Sequence, residues 1–172
     1  AVNIDQLDRY DRTRRWEAMQ VLNQRDILLA DTPTRNEKAM RVYSSPPFTT
    51  LLATDTNHCI QGVAVFRIHT ASDGLRVVHL ELLATTGHQM GVGSAVFRTL
   101  RAIAHEQTAG WIFASTLRSK TATQFYKRKL PELNSPQARA FMASYAFIDP
   151  WSHLEGTGNL DYRCVYVPQG DS

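Results

Sequence analysis

Two hydrophobic periods divide the chain. Residues 4–24, IDQLDRYDRTRRWEAMQVLNQ, are rich in helix formers and hold no Gly or Pro, which predicts a helix. DTP then interrupts the pattern. Thr34 and Glu37 stand at capping-box spacing and predict a second short helix over 35–43. SSPPF ends it, because proline lacks the amide proton that a helix needs. The first 45 residues therefore read as helical. Beyond them the period shortens. TTLLATD (49–55) and IQGVAVFRIHT (60–70) are β-branched and apolar, and TNHC between them predicts an antiparallel pair. After the turn ASDG, LRVVHLELLAT (75–85) predicts a third strand. HQMGVGS (88–94) follows, and then Val92, Val96, Leu100 and Ile103 recur at helical spacing. GWIFASTL (110–117) reads as a buried strand and KTATQFYKRKL (120–130) as a short helix. SPQARAFMASYAF (135–147) is another helix, with Ser135 and Pro136 well placed at its start. NLDYRCVYV (159–167) closes as a strand. The order α-α-β-β-β-α-β-α-α-β-β predicts an α/β (α+β) fold. Its mixed central sheet is flanked by helices, with an antiparallel first half and a βαβ crossover near the middle.

The strand–turn–helix passage at 80–105 carries the first hint of chemistry. Gly91 and Gly93 have no Cβ and let backbone approach an anion closely. The helix that begins there leaves its first amides unpaired and adds a partial positive charge. Together these suit a phosphate group. The same glycines also serve a plain tight connection packed for space, and on Gly-x-Gly alone the two readings weigh about equally. There is no G-x-x-x-x-G-K-[ST], so a Walker A loop is set aside. A third glycine in G-x-G-x-x-G and a launching N-terminal strand are also missing, so a Rossmann unit is set aside too.

Composition adds bounds. The chain has 172 residues, 43% of them hydrophobic, which fits one domain with a real core. No apolar run approaches a bilayer span of about 20 residues. The N-terminal stretch has no apolar signal region, so a cytoplasmic protein without membrane partners is expected. Cys59 and Cys164 lie far apart and match no metal spacing, which favours reduced thiols. The net charge of +3 is mildly basic and suits an anionic ligand.

With its neighbours, the turn resembles the pyrophosphate loop of the GNAT superfamily of acetyl-CoA-dependent N-acetyltransferases. The family's loop, [RQ]-x-x-G-x-[GA], is filled here by His88-Gln89-Met90-Gly91-Val92-Gly93, after the strand end LLAT. A strand, WIFASTL, comes about 20 residues later in the family's manner. A helix with the family's A-x-x-F-Y pattern follows, at Ala122 to Phe125 and Tyr126. The resemblance covers 49–167 as a coenzyme-binding core. Residues 1–48 become a helical, acceptor-side segment of one domain spanning 1–172. There are departures. His88 stands where Arg or Gln is usual, so its phosphate contact depends on protonation unless Gln89 replaces it. The family's short first strand is not evident. The segment 131–147 is a second near match to the tyrosine helix, with Met142 in the tyrosine's place and Tyr145 as a fallback.

The resemblance implies acetyl-CoA as acyl-donor cosubstrate and no metal. It implies coenzyme contacts from Leu83, Ala84 and Thr85, from His88, Gln89, Met90, Gly91, Val92, Gly93 and Ser94, and from Ser119 and Phe125. Amides near Leu83 and Ala84 would polarise the thioester carbonyl, while those of Gln89 to Ser94 would hold the pyrophosphate. Tyr126 would protonate the leaving thiolate, against the plainer reading of a tyrosine packed on the sheet. His79 and Glu81, two apart on a strand, share a face. One branch of the family places its basic glutamate at the position of His79, and another places two histidines at the positions of His79 and Glu81. Either residue would take the amine's proton directly or through water. The competing reading is a polar pair on a solvated strand face. His58, His69, His105 and His153 have no partners at metal-ligand spacing, and Asp55, Asp73 and Asp161 read as turn or strand-edge residues.

The leading expectation is N-acetylation of a primary amine of a small molecule or protein. A toxin-like enzyme acting on aminoacyl-tRNA is the second reading, motivated by RTRRW (12–16) and KTATQFYKRK as basic surfaces; RTRRW is more simply a solvated helix face. A non-catalytic CoA-binding module is the third. Homodimers are common in the family, and the acceptor itself is not legible.

Overall fold

The computed structural model describes residues 2–24, 33–70, 74–117, 120–129, 136–145 and 160–168. Ser119, His153 and most of the ASDG turn lie outside the described residues, as do the side chains of Thr34, Ala122, Met142, Tyr145 and Asp161. The described strands are β1 (Asn3–Gln6), β2 (Phe48–Thr54), β3 (Ile60–Thr70), β4 (Arg76–Thr85), β5 (Ala109–Leu117) and β6 (Leu160–Tyr166). The helices are α1 (Arg12–Gln24), α2 (Pro33–Tyr43), α3 (Val92–Glu106), α4 (Lys120–Lys129) and α5 (Pro136–Tyr145). One mixed sheet holds the strands in the order β1-β2-β3-β4-β5-β6. β1 pairs antiparallel with β2, β2 with β3, and β5 with β6. β4, α3 and β5 supply the expected crossover.

Two expectations need correction. The first residues are not helical throughout. Asn3 to Gln6 form an edge strand opposite Thr54 to Leu51, which is the short first strand that the polar sequence hid. The helix starts only after Asp11, whose carboxylate accepts the Arg14 amide at 3.0 Å as an N-cap. The described residues after α5 also hold one strand, where the hydrophobic pattern predicts two.

Contacts divide the chain into two compact units, 1–67 with 80–99, and 68–79 with 100–172. In the first, α1 turns Ala18, Met19, Val21 and Leu22 inward, a face at helical spacing. They pack with Leu7, Met40, Leu52, Ile60, Val63 and Ala84. Serines finish α2: Ser44 Oγ donates to Met40 O and Ser45 Oγ to Arg41 O, each at 2.7 Å. These hydroxyls satisfy carbonyls that a helix end leaves open. In the second unit, Val77, Trp111, Phe113, Phe141 and Cys164 form the core, with Trp111 stacked on Phe141 at 4.6 Å. Cys59 is exposed, Cys164 is buried, and both are free thiols.

Candidate active site

The glycine turn belongs to the first unit. β4 ends at Thr85, and Thr86 is anchored twice to Gln61 at the start of β3. Its amide donates to Gln61 O at 3.0 Å and its hydroxyl to Gln61 Oε1 at 2.7 Å. Gln61 Nε2 in turn donates to Asp55 Oδ2 at 3.0 Å. The Cys59 amide is the main cause holding the Asp55 carboxyl below its ordinary range, ahead of the Gln61 and Asn57 bonds that act in the same direction. The turn is thus tied to the β2–β3 connection by Asp55, Gln61 and Thr86. None of the three carried a site role in the sequence, because their partners are remote in the chain; Asp55 read there only as a turn residue.

Gly91 has φ +80°, a left-handed conformation that a side chain disfavours, and a Cβ there would meet nothing within 4 Å. The backbone face at Gly91 is therefore open. Ala95 N–H is the first to bond back, to Gly91 O at 3.0 Å. Val92, Gly93 and Ser94 precede it, in the first turn of α3, where helical amides have no partner one turn back. Gly93 is a helical residue of that turn, so the left-handed requirement falls on Gly91. Met90 is 95% exposed; His88 is exposed too, and Gln89 between them is half-buried.

The approach of α3 to the sheet is set by Gly62. A Cβ at Gly62 would lie 2.6 Å from Val92 Cγ1, so only glycine lets the helix seat where it does.

His79 and Glu81 do not form a pair on a solvated face. His79 is 0% exposed, its ring edge-on to Phe113 at 4.8 Å in the second unit. Glu81 is held in the first unit by Arg67, Oε1 to Nε at 3.0 Å, with side-chain exposures of 8% and 13%. Arg67 lies opposite Phe48 in the β2–β3 register, its guanidinium 5.9 Å from the ring centre. Tyr43 meets Phe48 edge-on at 5.3 Å. Burial, and then the charge of Glu81, push the Tyr43 phenol above its usual range. A row Phe48–Arg67–Glu81 thus runs across β2, β3 and β4.

Leu82, the next residue on β4, packs on the cluster that contains Leu22, Leu52 and Val63.

Tyr126 and Phe125 lie on α4 in the second unit. Tyr126 is buried, its ring edge-on to Phe125 at 5.4 Å, and burial pushes its phenol well above the ordinary tyrosine range. The arginines of RTRRW are partly engaged within their own unit. Arg14 pairs with Glu17 at 2.9 Å and donates to His58 O at 2.8 Å, and Arg15 donates to Arg9 O. Among the described residues no group of three or more His, Cys, Asp or Glu is placed to hold a metal ion, and no helix is long and apolar enough to cross a membrane.

Comparison with solved structures places this architecture. The sequence matches no family model and no curated protein. Its fold is that of the GNAT acetyltransferases. A GNAT-family protein from Desulfovibrio desulfuricans superposes with a TM-score of 0.58 at 16% identity, covering 74% of this chain and 83% of that one. A ribosomal-protein-alanine N-acetyltransferase from Brucella melitensis gives 0.61 at 16% identity, covering 74% and 89%. AAC(6')-Iy, in complex with the bisubstrate analogue CoA-S-monomethyl-acetylneamine, gives 0.60 at 14% identity, covering 74% and 88%.

Proposed function

We propose that this protein is an acetyl-CoA-dependent N-acetyltransferase that acetylates a primary amine, of a small molecule or of a protein, by direct attack within a ternary complex. The observation that carries the reading is the open turn at Gly91 leading into α3, within a GNAT fold. The first-turn amides of α3 and the positive end of its dipole suit a pyrophosphate. Along β4, Glu81 lies five residues before Thr86, about 16 Å at the rise of an extended strand. That span is comparable to an extended pantetheine arm.

Acetyl-CoA would supply the acetyl group as a thioester. Amides near Leu83 and Ala84 polarise its carbonyl and steady the oxyanion as the amine nitrogen bonds to carbon. Glu81 takes the ammonium proton, directly or through a water, and Arg67 holds the carboxylate in place. The burial of His79 favours Glu81 over it for this task. Tyr126 gives its proton to the sulfur as the carbon–sulfur bond breaks. A phenol whose pKa is raised by burial stays protonated at neutral pH, as an acid must.

The test is calorimetric titration with acetyl-CoA, followed by thiol release with a panel of amines. Saturable binding and amine-dependent release are expected. Absence of binding at millimolar acetyl-CoA would overturn the reading.

A further inference from the structure

β2 and β3 meet irregularly at one position. Ala53 faces Gly62, but the next residue of β2, Thr54, faces Ile60. Gln61 is therefore the extra residue of a β-bulge, a device that re-aims a side chain and recurs beside active sites. The loop between β4 and α3 is fastened at this same place. The Gln61 carbonyl and side chain hold Thr86 at the start of the loop, and Gly62 gives Val92 its seat at the far end. One end of the Gln61 amide faces Thr86, and the other faces Asp55.

We infer that Asp55 is a positioning residue for the coenzyme: acting through Gln61, its carboxylate sets the direction of the hydrogen bonds at Thr86 and so holds the loop of residues 86–91 in its binding shape. The inference rests on the acetyltransferase reading and deepens it. The direction follows from which groups can donate and which can only accept. Asp55 Oδ1 accepts the amides of Asn57 at 2.8 Å and Cys59 at 3.0 Å, which fixes the carboxylate in the β2–β3 turn. The Cys59 bond chiefly holds the carboxyl below its ordinary range, so at neutral pH it is ionised and only accepts. Gln61 must then turn Nε2 toward Oδ2, at 3.0 Å, which leaves Oε1 to face Thr86. Oε1 only accepts, so the Thr86 hydroxyl donates to it at 2.7 Å. With its proton engaged there, Thr86 Oγ1 offers lone pairs to the loop and accepts the His88 amide at 3.3 Å. Each bond fixes the sense of the next. The turn that starts the chain is itself braced, because Arg14, paired with Glu17 at 2.9 Å, donates to His58 O at 2.8 Å. All of these residues belong to the first unit.

The experiment reverses the sense of the chain at its first member and then restores it. Asp55→Asn keeps an oxygen for the two backbone amides but sets an NH2 against Gln61. Gln61 must rotate and donate to Thr86, which displaces the Thr86 proton toward the His88 amide. Affinity for CoA, by calorimetric titration, should fall about fivefold, the net worth of one hydrogen bond. Gln61→Glu alone sets two carboxylates together and should weaken binding to a like extent. The double variant exchanges the two roles. Its amide at position 55 donates to the carboxylate at 61, whose other oxygen again accepts the Thr86 hydroxyl. Affinity should return to within about twofold of wild type at about 0.5 M salt, where the moved charge is screened over roughly 4 Å. Losses of packing or stability would add in the double variant instead of cancelling. Unchanged affinity in Asp55→Asn overturns the inference, as does a double variant that binds no tighter than either single one. Amide hydrogen exchange at His88 separates the relay from the enzyme reading. Exchange that quickens in Asp55→Asn and slows again in the double variant, in a protein that binds no CoA at millimolar concentration, supports the relay and defeats the acetyltransferase. CoA binding that neither single variant weakens does the reverse.

Discussion

Gly62→Ala is expected to reach the coenzyme loop without touching it. The added Cβ would sit 2.6 Å from Val92 Cγ1, 0.8 Å inside the 3.4 Å at which ordinary contact begins. The new methyl cannot retreat, because Ala53 Cβ and the Ala84 carbonyl already stand at 3.4 and 3.5 Å from it. Val92 must therefore give. It is buried, it is β-branched and so stiff at χ1, and it is the first residue of α3. Overpacking of this kind costs about 1–3 kcal/mol. For a chain of this size that is a fall in Tm of roughly 3–10 °C. The same displacement moves the amides of Val92, Gly93 and Ser94. A hydrogen bond is good only over about 0.5 Å of donor–acceptor distance, so the affinity for CoA should fall about fivefold to tenfold, from partial loss of bonds to a charged group. Differential scanning calorimetry reads the first effect and isothermal titration with CoA the second. Val92→Ala removes the clashing methyls, at about 1.6 kcal/mol for two carbons lost from the core. In the double variant the clash is gone, so the penalties should be sub-additive by at least about 1 kcal/mol. A Gly62→Ala protein with unchanged Tm and CoA affinity would refute the reasoning, and so would strict additivity with Val92→Ala.

Two further outcomes follow from the same geometry. Thr86→Val removes the hydroxyl that donates to Gln61 Oε1 at 2.7 Å; it should cost about 1 kcal/mol by thermal melting and weaken CoA binding a few-fold, and unchanged binding would free the turn from its anchor. Tyr126→Phe should lower kcat by about a hundredfold with little change in CoA affinity. The raised folded pKa of Tyr126 means that its contribution to stability is whole below the unfolded value of 10.0 and is lost as pH rises above it; the Phe variant should lose less stability than wild type above pH 10, measured by circular dichroism, and identical alkaline curves would remove burial as the cause.

What was legible in the sequence is what depends on neighbours in the chain. The runs that became β2 to β6 were read nearly to their ends, because an apolar β-branched stretch has few other ways to bury itself. The glycine turn was legible because its geometry needs a residue type at Gly91. β1 was not, since Asn3 to Gln6 is polar and mostly exposed, and only the β2 ladder makes it a strand. The cap at Asp11 marked the true helix start, but helix formers on both sides of it masked the signal. The site divides along the same line. His79 and Glu81 share a parity, and parity alone cannot tell which partner each will find. One meets Phe113 and is buried whole; the other meets Arg67, fourteen positions earlier, in an ion pair. A residue type at a spacing can nominate a base. Only the strand that pairs beside it decides whether the carboxylate is buried alone or set against a cation, and here that cation is Arg67.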